Sequence, residues 1–168
     1  AMRRRYKRDL YERRVLKIQQ SIPDCCIGVD VIVGFPGETN DDFLDTYNFL
    51  KGLDISYIHV FTYSERPNTD AIDIGEVISR EKRAERSKML HILSDKKRRY
   101  FQEQFLGQTR PVLIESTLDG KATGHTDNYI KVKFKNDSNL NNSIVDVVLM
   151  KITANMIMGY VDLNNDYS

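Results

Sequence analysis

The first half of the chain alternates between apolar runs typical of buried strands and mixed runs with helical spacing. Apolar residues recur at roughly helical intervals in residues 7–20, and a β-branched run extends from Cys26 to Val33. A Thr-x-x-Asp capping box at Thr39 then begins a helical pattern that continues to Lys51. These patterns predict a helix, a buried strand and a second helix.

A second strand and a long helix complete this half. Residues 55–63 are rich in β-branched and aromatic side chains, and a polar turn follows them. Because one helix separates the two strands, we expect parallel neighbours joined by a right-handed connection. Helical spacing then extends from about Ser79 to Phe105, with a basic cluster at 96–99.

After Gly107 the helical period gives way to short β runs. Asp-Gly, Gly-His and Asn-rich turns separate these runs. The predicted strands are Val112 to Glu115, Tyr129 to Phe134, Ile144 to Leu149 and Met156 to Val161. Four or five such strands predict a small all-β barrel or sandwich, and barrels of the OB type commonly bind nucleic acid. The predicted fold is therefore an α/β domain at 1–106 followed by an all-β domain at 107–168.

The most informative segment is the Gly-Phe-Pro-Gly-Glu loop at 34–38, directly after the first predicted strand. Its glycines permit positive φ or close approach of a ligand, and its proline stiffens it. Parallel neighbouring strands bring their ends to one rim, so we expect this loop and Tyr63 to Arg66 to face a common cleft. The alternative is that Glu38 caps the next helix and Arg66 forms an ion pair.

The predicted β domain contains a candidate RNA surface. Three of its lysines alternate with apolar residues and so share one face of a strand. Cations bind phosphates and exposed aromatic rings stack on bases. The candidate residues are Lys121, His125, Asn128, Tyr129, Lys131, Lys133 and Lys135. The alternative is a solvated strand face, since exposed strands commonly contain lysine.

Composition and charge limit the possible functions. The 168 residues, 40% of them hydrophobic, suffice for real cores, and the net charge is +1. Residues 2–19 and 79–110 are nevertheless basic, while residues 24–77 are acidic. Such segregation suits solvated helix faces or a surface for an anionic polymer.

Several kinds of site and location are not indicated. Cys25 and Cys26 are the only cysteines, and adjacent residues neither bridge each other readily nor form a metal-binding spacing. There is no hydrolytic or zinc motif, no apolar run as long as a bilayer span and no signal-peptide pattern. We expect a cytoplasmic protein that does not contact a membrane. Ala1 before Met2 resembles a residue left by a cloning tag, so we also expect an excised fragment.

Two segments resemble a known enzyme family. Val-Gly-Phe-Pro-Gly-Glu-Thr at 33–39 and Phe-Thr-Tyr-Ser-Glu-Arg-Pro-Asn-Thr at 61–69 resemble the radical S-adenosylmethionine methylthiotransferases, which modify tRNA adenosine beside the anticodon. Met2-x-Arg4-x-Tyr6 is similar to the segment after that family's fourth barrel strand, and residues 108–163 resemble its RNA-binding TRAM domain. The 61–67 segment is most similar to the branch that acts on threonylcarbamoyladenosine.

The resemblance implies the C-terminal part of a partial (β/α) barrel followed by an OB-like TRAM barrel, with tRNA and S-adenosylmethionine as partners. The implied cofactor residues are Val33, Gly34, Phe35, Pro36, Gly37, Glu38 and Arg4. The implied substrate-pocket residues are Tyr63, Glu65 and Arg66. The family also needs [4Fe–4S] clusters held by cysteine thiolates, but this chain lacks the Cys-x-x-x-Cys-x-x-Cys loop. We therefore expect no catalytic residue, no metal ligand and no activity in the isolated chain.

Two other functions remain open from the sequence. One is a free-standing RNA-binding or adaptor protein without catalysis. The other is a nucleotide-binding domain that uses the Gly-Phe-Pro-Gly loop for phosphate, although this loop lacks the Lys-Ser or Lys-Thr that usually completes such a site. Cysteine clusters encoded upstream would distinguish the enzyme from the adaptor.

Overall fold

The computed structural model describes residues 7–65, 76–136, 138 and 140–161. The chain divides into two compact units, Ala1–Lys97 and Arg98–Ser168, so the division falls inside the third helix. In the described part of the chain, no helix has the length and apolar character needed to cross a membrane.

The first unit combines helices with a small parallel sheet. Its elements are α1 (Arg8–Ser21), β1 (Gly28–Val33), α2 (Asn40–Gly52), β2 (Tyr57–Thr62) and the first part of α3 (Arg80–Glu103). The two strands pair in parallel, which confirms the prediction. One face of the sheet is buried in a core that includes Val31, Phe43, Ile58 and Leu90. Ser94 of α3 accepts the Ile58 N–H at 2.8 Å, so the helix also satisfies a backbone group of β2.

The capping box that the sequence predicted at the start of α2 is confirmed. Thr39 Oγ1 accepts the Asp42 N–H at 3.1 Å, and Asp42 Oδ2 accepts the Thr39 N–H at 2.9 Å. The hydrogen bonds from Thr39 hold the pKa of the Asp42 carboxyl below its usual value. The helix therefore begins where local chemistry satisfies its free N–H groups.

The second unit contains a closed β-barrel. Its strands are β3 (Thr109–Leu118), β4 (Lys121–Thr126), β5 (Lys131–Lys135), β6 (Ile144–Thr153) and β7 (Met156–Val161). Among the described residues, their order around the barrel is β3-β4-β5-β7-β6, and β5 with β7 is the parallel pair. This is the Greek-key arrangement of OB folds. Of the two architectures that the sequence allowed, the barrel is confirmed.

The sequence did not predict β4, and its Gly-His pair lies inside this strand rather than in the expected turn. The segment Lys-Ala-Thr-Gly-His-Thr has weak intrinsic strand preference, so pairing with β3 and β5 decides its conformation. Gly124 is buried, and a Cβ there would lie 2.0 Å from the Leu113 carbonyl oxygen. The glycine thus permits a close approach of β3 and β4.

Candidate functional site

Internal hydrogen bonds shape the loop after β1. Gly34 and Gly37 both have left-handed backbone conformations, with φ of 75° and 79°. The Gly34 N–H donates to Glu38 Oε2 at 2.8 Å, and the Gly37 N–H donates to the Glu76 carbonyl at 3.0 Å. A Cβ on Gly34 would lie 2.4 Å from Arg83 Cγ. The space beside Gly34 is therefore filled by Arg83 of α3. Val33 and Pro36, in the same segment as Gly34, are buried.

Glu38 fastens this loop to α3. Its Oε2 lies 2.5 Å from Arg86 Nη1, which also donates to the Glu38 carbonyl at 3.1 Å. The two side chains are 15% and 4% exposed, so this is a largely buried ion pair. The Arg86 guanidinium also lies 5.4 Å from the centre of the Phe43 ring. Since Thr39 supplies the helix cap, Glu38 organises the loop and does not cap α2.

A second arginine of α3 holds the end of β2. Arg83 Nη2 pairs with Glu65 Oε1, and Arg83 Nη1 donates to the Tyr63 carbonyl at 3.0 Å. The hydrogen bond from Arg83 holds the pKa of the Glu65 carboxyl below its usual value. The two arginines that the sequence singled out are different ones, Arg4 and Arg66, and both lie outside the described residues.

The ends of the two strands meet at one rim, as parallel pairing requires. The Tyr63 N–H donates to the Val33 carbonyl at 2.8 Å, and the Phe35 and Tyr63 rings meet edge to face with centroids 5.3 Å apart. A cleft of about 470 Å³ is lined by Phe35 and Glu38, and a cleft of about 670 Å³ is lined by Tyr63 and Glu65. Phe35 and Glu38 thus line one cleft and Tyr63 and Glu65 another, whereas the sequence predicted that the two loops face a common cleft.

Arg83 and Arg86 were not identified from the sequence. They belong to a basic block, yet their exposures are only 6% and 3%. Residues three apart on a helix share one face, and each of these arginines meets a glutamate at a strand end. The sequence did contain a signal for these ion pairs. It has two arginines three positions apart on a predicted helix and acidic residues at the ends of two predicted parallel strands.

The described residues do not fit an iron–sulfur cluster. Cys25 and Cys26 form no disulfide, and among the described residues no group of three His, Cys, Asp or Glu side chains is placed to hold a metal ion. For S-adenosylmethionine, the cleft beside Phe35 offers apolar surface. The Gly34 N–H is already bonded to the Glu38 carboxylate, so it is not free to bind a cofactor.

The barrel presents a row of lysines on its outer surface. Lys131, Lys133 and Lys135 alternate along β5 with the buried Val132 and Phe134, as predicted from their spacing. Lys121 of β4 lies opposite Lys135. We call Lys121, Lys131, Lys133 and Lys135 the lysine face.

The remaining candidates lie around the end of β4. Tyr129 is 68% exposed, and its ring stacks on His125 with centroids 4.9 Å apart and planes inclined by 20°. His125 Nδ1 lies 2.8 Å from Glu115 Oε1. Asn128 is only 7% exposed, and its Oδ1 accepts the Thr126 hydroxyl at 2.6 Å. Asn128 therefore shapes the turn beneath Tyr129, and a direct RNA contact by Asn128 stays a prediction.

Known proteins give a clear relationship, although no protein-family model matches the chain. The chain is 34% identical over 155 residues to the threonylcarbamoyladenosine tRNA methylthiotransferase MtaB of Bacillus subtilis, covering 89% of this chain and 34% of the relative. It is 41% identical over 133 residues to the enzyme of the same name from Aquifex aeolicus, covering 79% and 31%. It is 33% identical over 165 residues to the tRNA-2-methylthio-N(6)-dimethylallyladenosine synthase of Aliarcobacter butzleri, covering 96% and 37%.

Over most of its length the chain is thus related to tRNA-modifying enzymes. Its similarity to tRNA methylthiotransferases over most of its length confirms the resemblance seen in the two strand-end segments. The chain spans about a third of the length of the curated relatives that it matches.

Proposed function

We propose that the chain is the C-terminal part of a cytoplasmic radical S-adenosylmethionine enzyme that adds a methylthio group to N6-threonylcarbamoyladenosine beside the anticodon of tRNA. The observation that carries this proposal is the identity of 34% and 41% to two MtaB proteins. The parallel β1–α2–β2 unit supports assignment of the first unit to the end of a (β/α) barrel. The OB-type order of β3 to β7 supports assignment of the second unit to a TRAM domain.

In this proposal the first unit supplies a preorganised wall of the reaction site. Glu38 and Glu65 are held by buried arginines, so residues 34–38 and 63–65 at the rim are held in place without a ligand. A loop that is already ordered loses little conformational entropy when a cofactor or a nucleotide binds against it. Phe35 and Tyr63, which touch each other at the rim, would border the cofactor and the adenosine.

The isolated chain is expected to bind S-adenosylmethionine only weakly and to modify no tRNA. The reason is that the described residues provide no ligand set for the cluster that the family uses. Isothermal titration calorimetry measures the first expectation, and mass spectrometry of digested tRNA nucleosides measures the second. Saturation at micromolar S-adenosylmethionine, or a methylthio nucleoside in the digest, would contradict this assignment of roles.

The second unit would bind tRNA through the lysine face. We expect the double substitution Lys131→Ala with Lys133→Ala to weaken tRNA binding and to flatten its salt dependence. Each lost phosphate contact lowers the slope of log affinity against log salt by about 0.7 to 0.9. Filter binding across a salt series measures both quantities.

The matched control is Lys17→Ala with Lys51→Ala, which removes the same charge from exposed helical positions of the first unit. If only the total charge mattered, the two double variants would bind tRNA with the same affinity and the same salt dependence. Equal curves for both variants, or no change for the Lys131 and Lys133 pair, would refute RNA binding by the lysine face.

A further inference from the structure

Tyr129 occupies a backbone conformation that a bulky residue rarely adopts. Its φ is 66°, in the left-handed region where glycine and asparagine are favoured. Despite this strain, the residue presents its ring to solvent with 68% exposure. Hydrophobic burial therefore does not account for a tyrosine at this place, and such strain often accompanies function.

The surrounding turn holds Tyr129 in this conformation. The Tyr129 N–H donates to the Thr126 carbonyl at 2.9 Å, and the Ile130 N–H donates to Thr126 Oγ1 at 2.8 Å. Asp127 is held by two hydrogen bonds of 2.9 Å from Arg110. These bonds hold the backbone of the turn, and the stack on His125 orients the ring, so less entropy is lost when a partner binds.

The Tyr129 ring is one end of an exposed apolar strip across the barrel surface. It stacks on His125, which pairs with Leu113 of β3, and Leu113 pairs with Ile144 of β6. Leu113 and Ile144 are 46% and 69% exposed. We call Tyr129, His125, Leu113 and Ile144 the apolar strip. Lys131, opposite His125, links this strip to the lysine face.

We infer that the apolar strip is a stacking surface for unpaired nucleotides, and that Tyr129 receives the first base. This inference rests on the proposed binding of tRNA by the lysine face. A base inside a duplex has both faces covered by its neighbours, so away from the duplex ends only an unpaired base offers a free face to an aromatic ring. The adjoining lysines bind the phosphates of the same strand, and this pairing of cations with an open ring favours RNA over a protein partner.

The test compares two RNAs against the full 168-residue chain and its variants: a tRNA anticodon stem-loop, and a blunt duplex with the sequence of its stem. Tyr129→Gly removes the ring and tolerates the positive φ, so the turn is retained. We expect this variant to lose about tenfold in affinity for the stem-loop and to keep its affinity for the duplex. Tyr129→Phe, which keeps the ring, should bind both RNAs as the unchanged chain does.

A thermal unfolding curve accompanies each variant, and we expect Tyr129→Gly to melt no lower than the unchanged chain because a strained residue has been replaced. Equal losses of affinity for both RNAs, or no loss for either, would overturn the stacking inference. With no loss for either RNA, a protein would be the alternative partner of the apolar strip. The Lys131 and Lys133 double variant distinguishes RNA binding by the lysine face from base stacking on the apolar strip. If it binds normally, RNA binding by the lysine face fails; if it binds weakly while Tyr129→Gly binds normally, only stacking fails.

Discussion

Alanine at position 124 is expected to lower the free energy of unfolding of the β-barrel by about 3 kcal/mol. The new Cβ would lie 2.0 Å from the Leu113 carbonyl oxygen, 2.8 Å from its carbonyl carbon and 3.1 Å from Ile114 Cα. These are backbone atoms, so no change of side-chain rotamer relieves the overlap. Strand β3 would have to move away from β4, which weakens the hydrogen bonds that close the barrel.

Urea denaturation with amide exchange of barrel residues measures this loss. Gly52→Ala is the matched control, because no atom lies within 4 Å of a Cβ there and its φ is not positive. Alanine at that helix end should be neutral or slightly stabilising. A Gly124→Ala chain with the same unfolding midpoint as Gly52→Ala would show that β3 and β4 can separate at little cost.

Glu38→Ala is expected to destabilise the first unit by about 3 kcal/mol, because it leaves the Arg86 guanidinium buried without its carboxylate. Arg86 is 4% exposed on its side chain, so water cannot readily replace the lost partner. The same change frees the Gly34 N–H, which donates to Glu38 in the intact loop. We therefore expect amide exchange in the 34–38 loop to accelerate together with the fall in stability.

Glu65→Ala is the comparison, because the partner of Glu65, Arg83, lies on the same helix as Arg86. The Glu65 side chain is 45% exposed, and Arg83 keeps the Tyr63 carbonyl as an acceptor after the change. The stability loss should therefore be clearly smaller than for Glu38→Ala. Equal losses for the two variants would mean that burial of the ion pair does not determine its contribution.

The helices and the parallel strand pair could be predicted because their signals are local. The Thr39 capping box and the β-branched run before Val33 each determine a conformation within a few residues. The barrel was harder, because a short strand such as β4 acquires its conformation from partners distant in the chain. Spacing alone could not show that Gly124 lies within a strand, where its missing side chain lets two backbones meet.

The candidate sites also contain residues that the sequence predicted and residues that it did not. Alternation with apolar residues predicted that Lys131, Lys133 and Lys135 share a face, because strand geometry has a period of two. Burial of Arg86 could not be predicted, since it depends on Glu38, which is 48 positions away in the chain. The strained backbone of Tyr129 was equally hidden, because a glycine or an asparagine is the usual sign of positive φ.

The two arginines of α3 have a mechanical consequence for the rim. Arg83 holds the loop after β2 and Arg86 holds the loop after β1, and both belong to one turn of one helix. Unwinding that turn would release Glu38 and Glu65 at once, whereas either glutamate alone leaves its arginine only by breaking its own ion pair. Opening of this turn of α3 is therefore expected to loosen both strand ends together, although the helix belongs to neither loop.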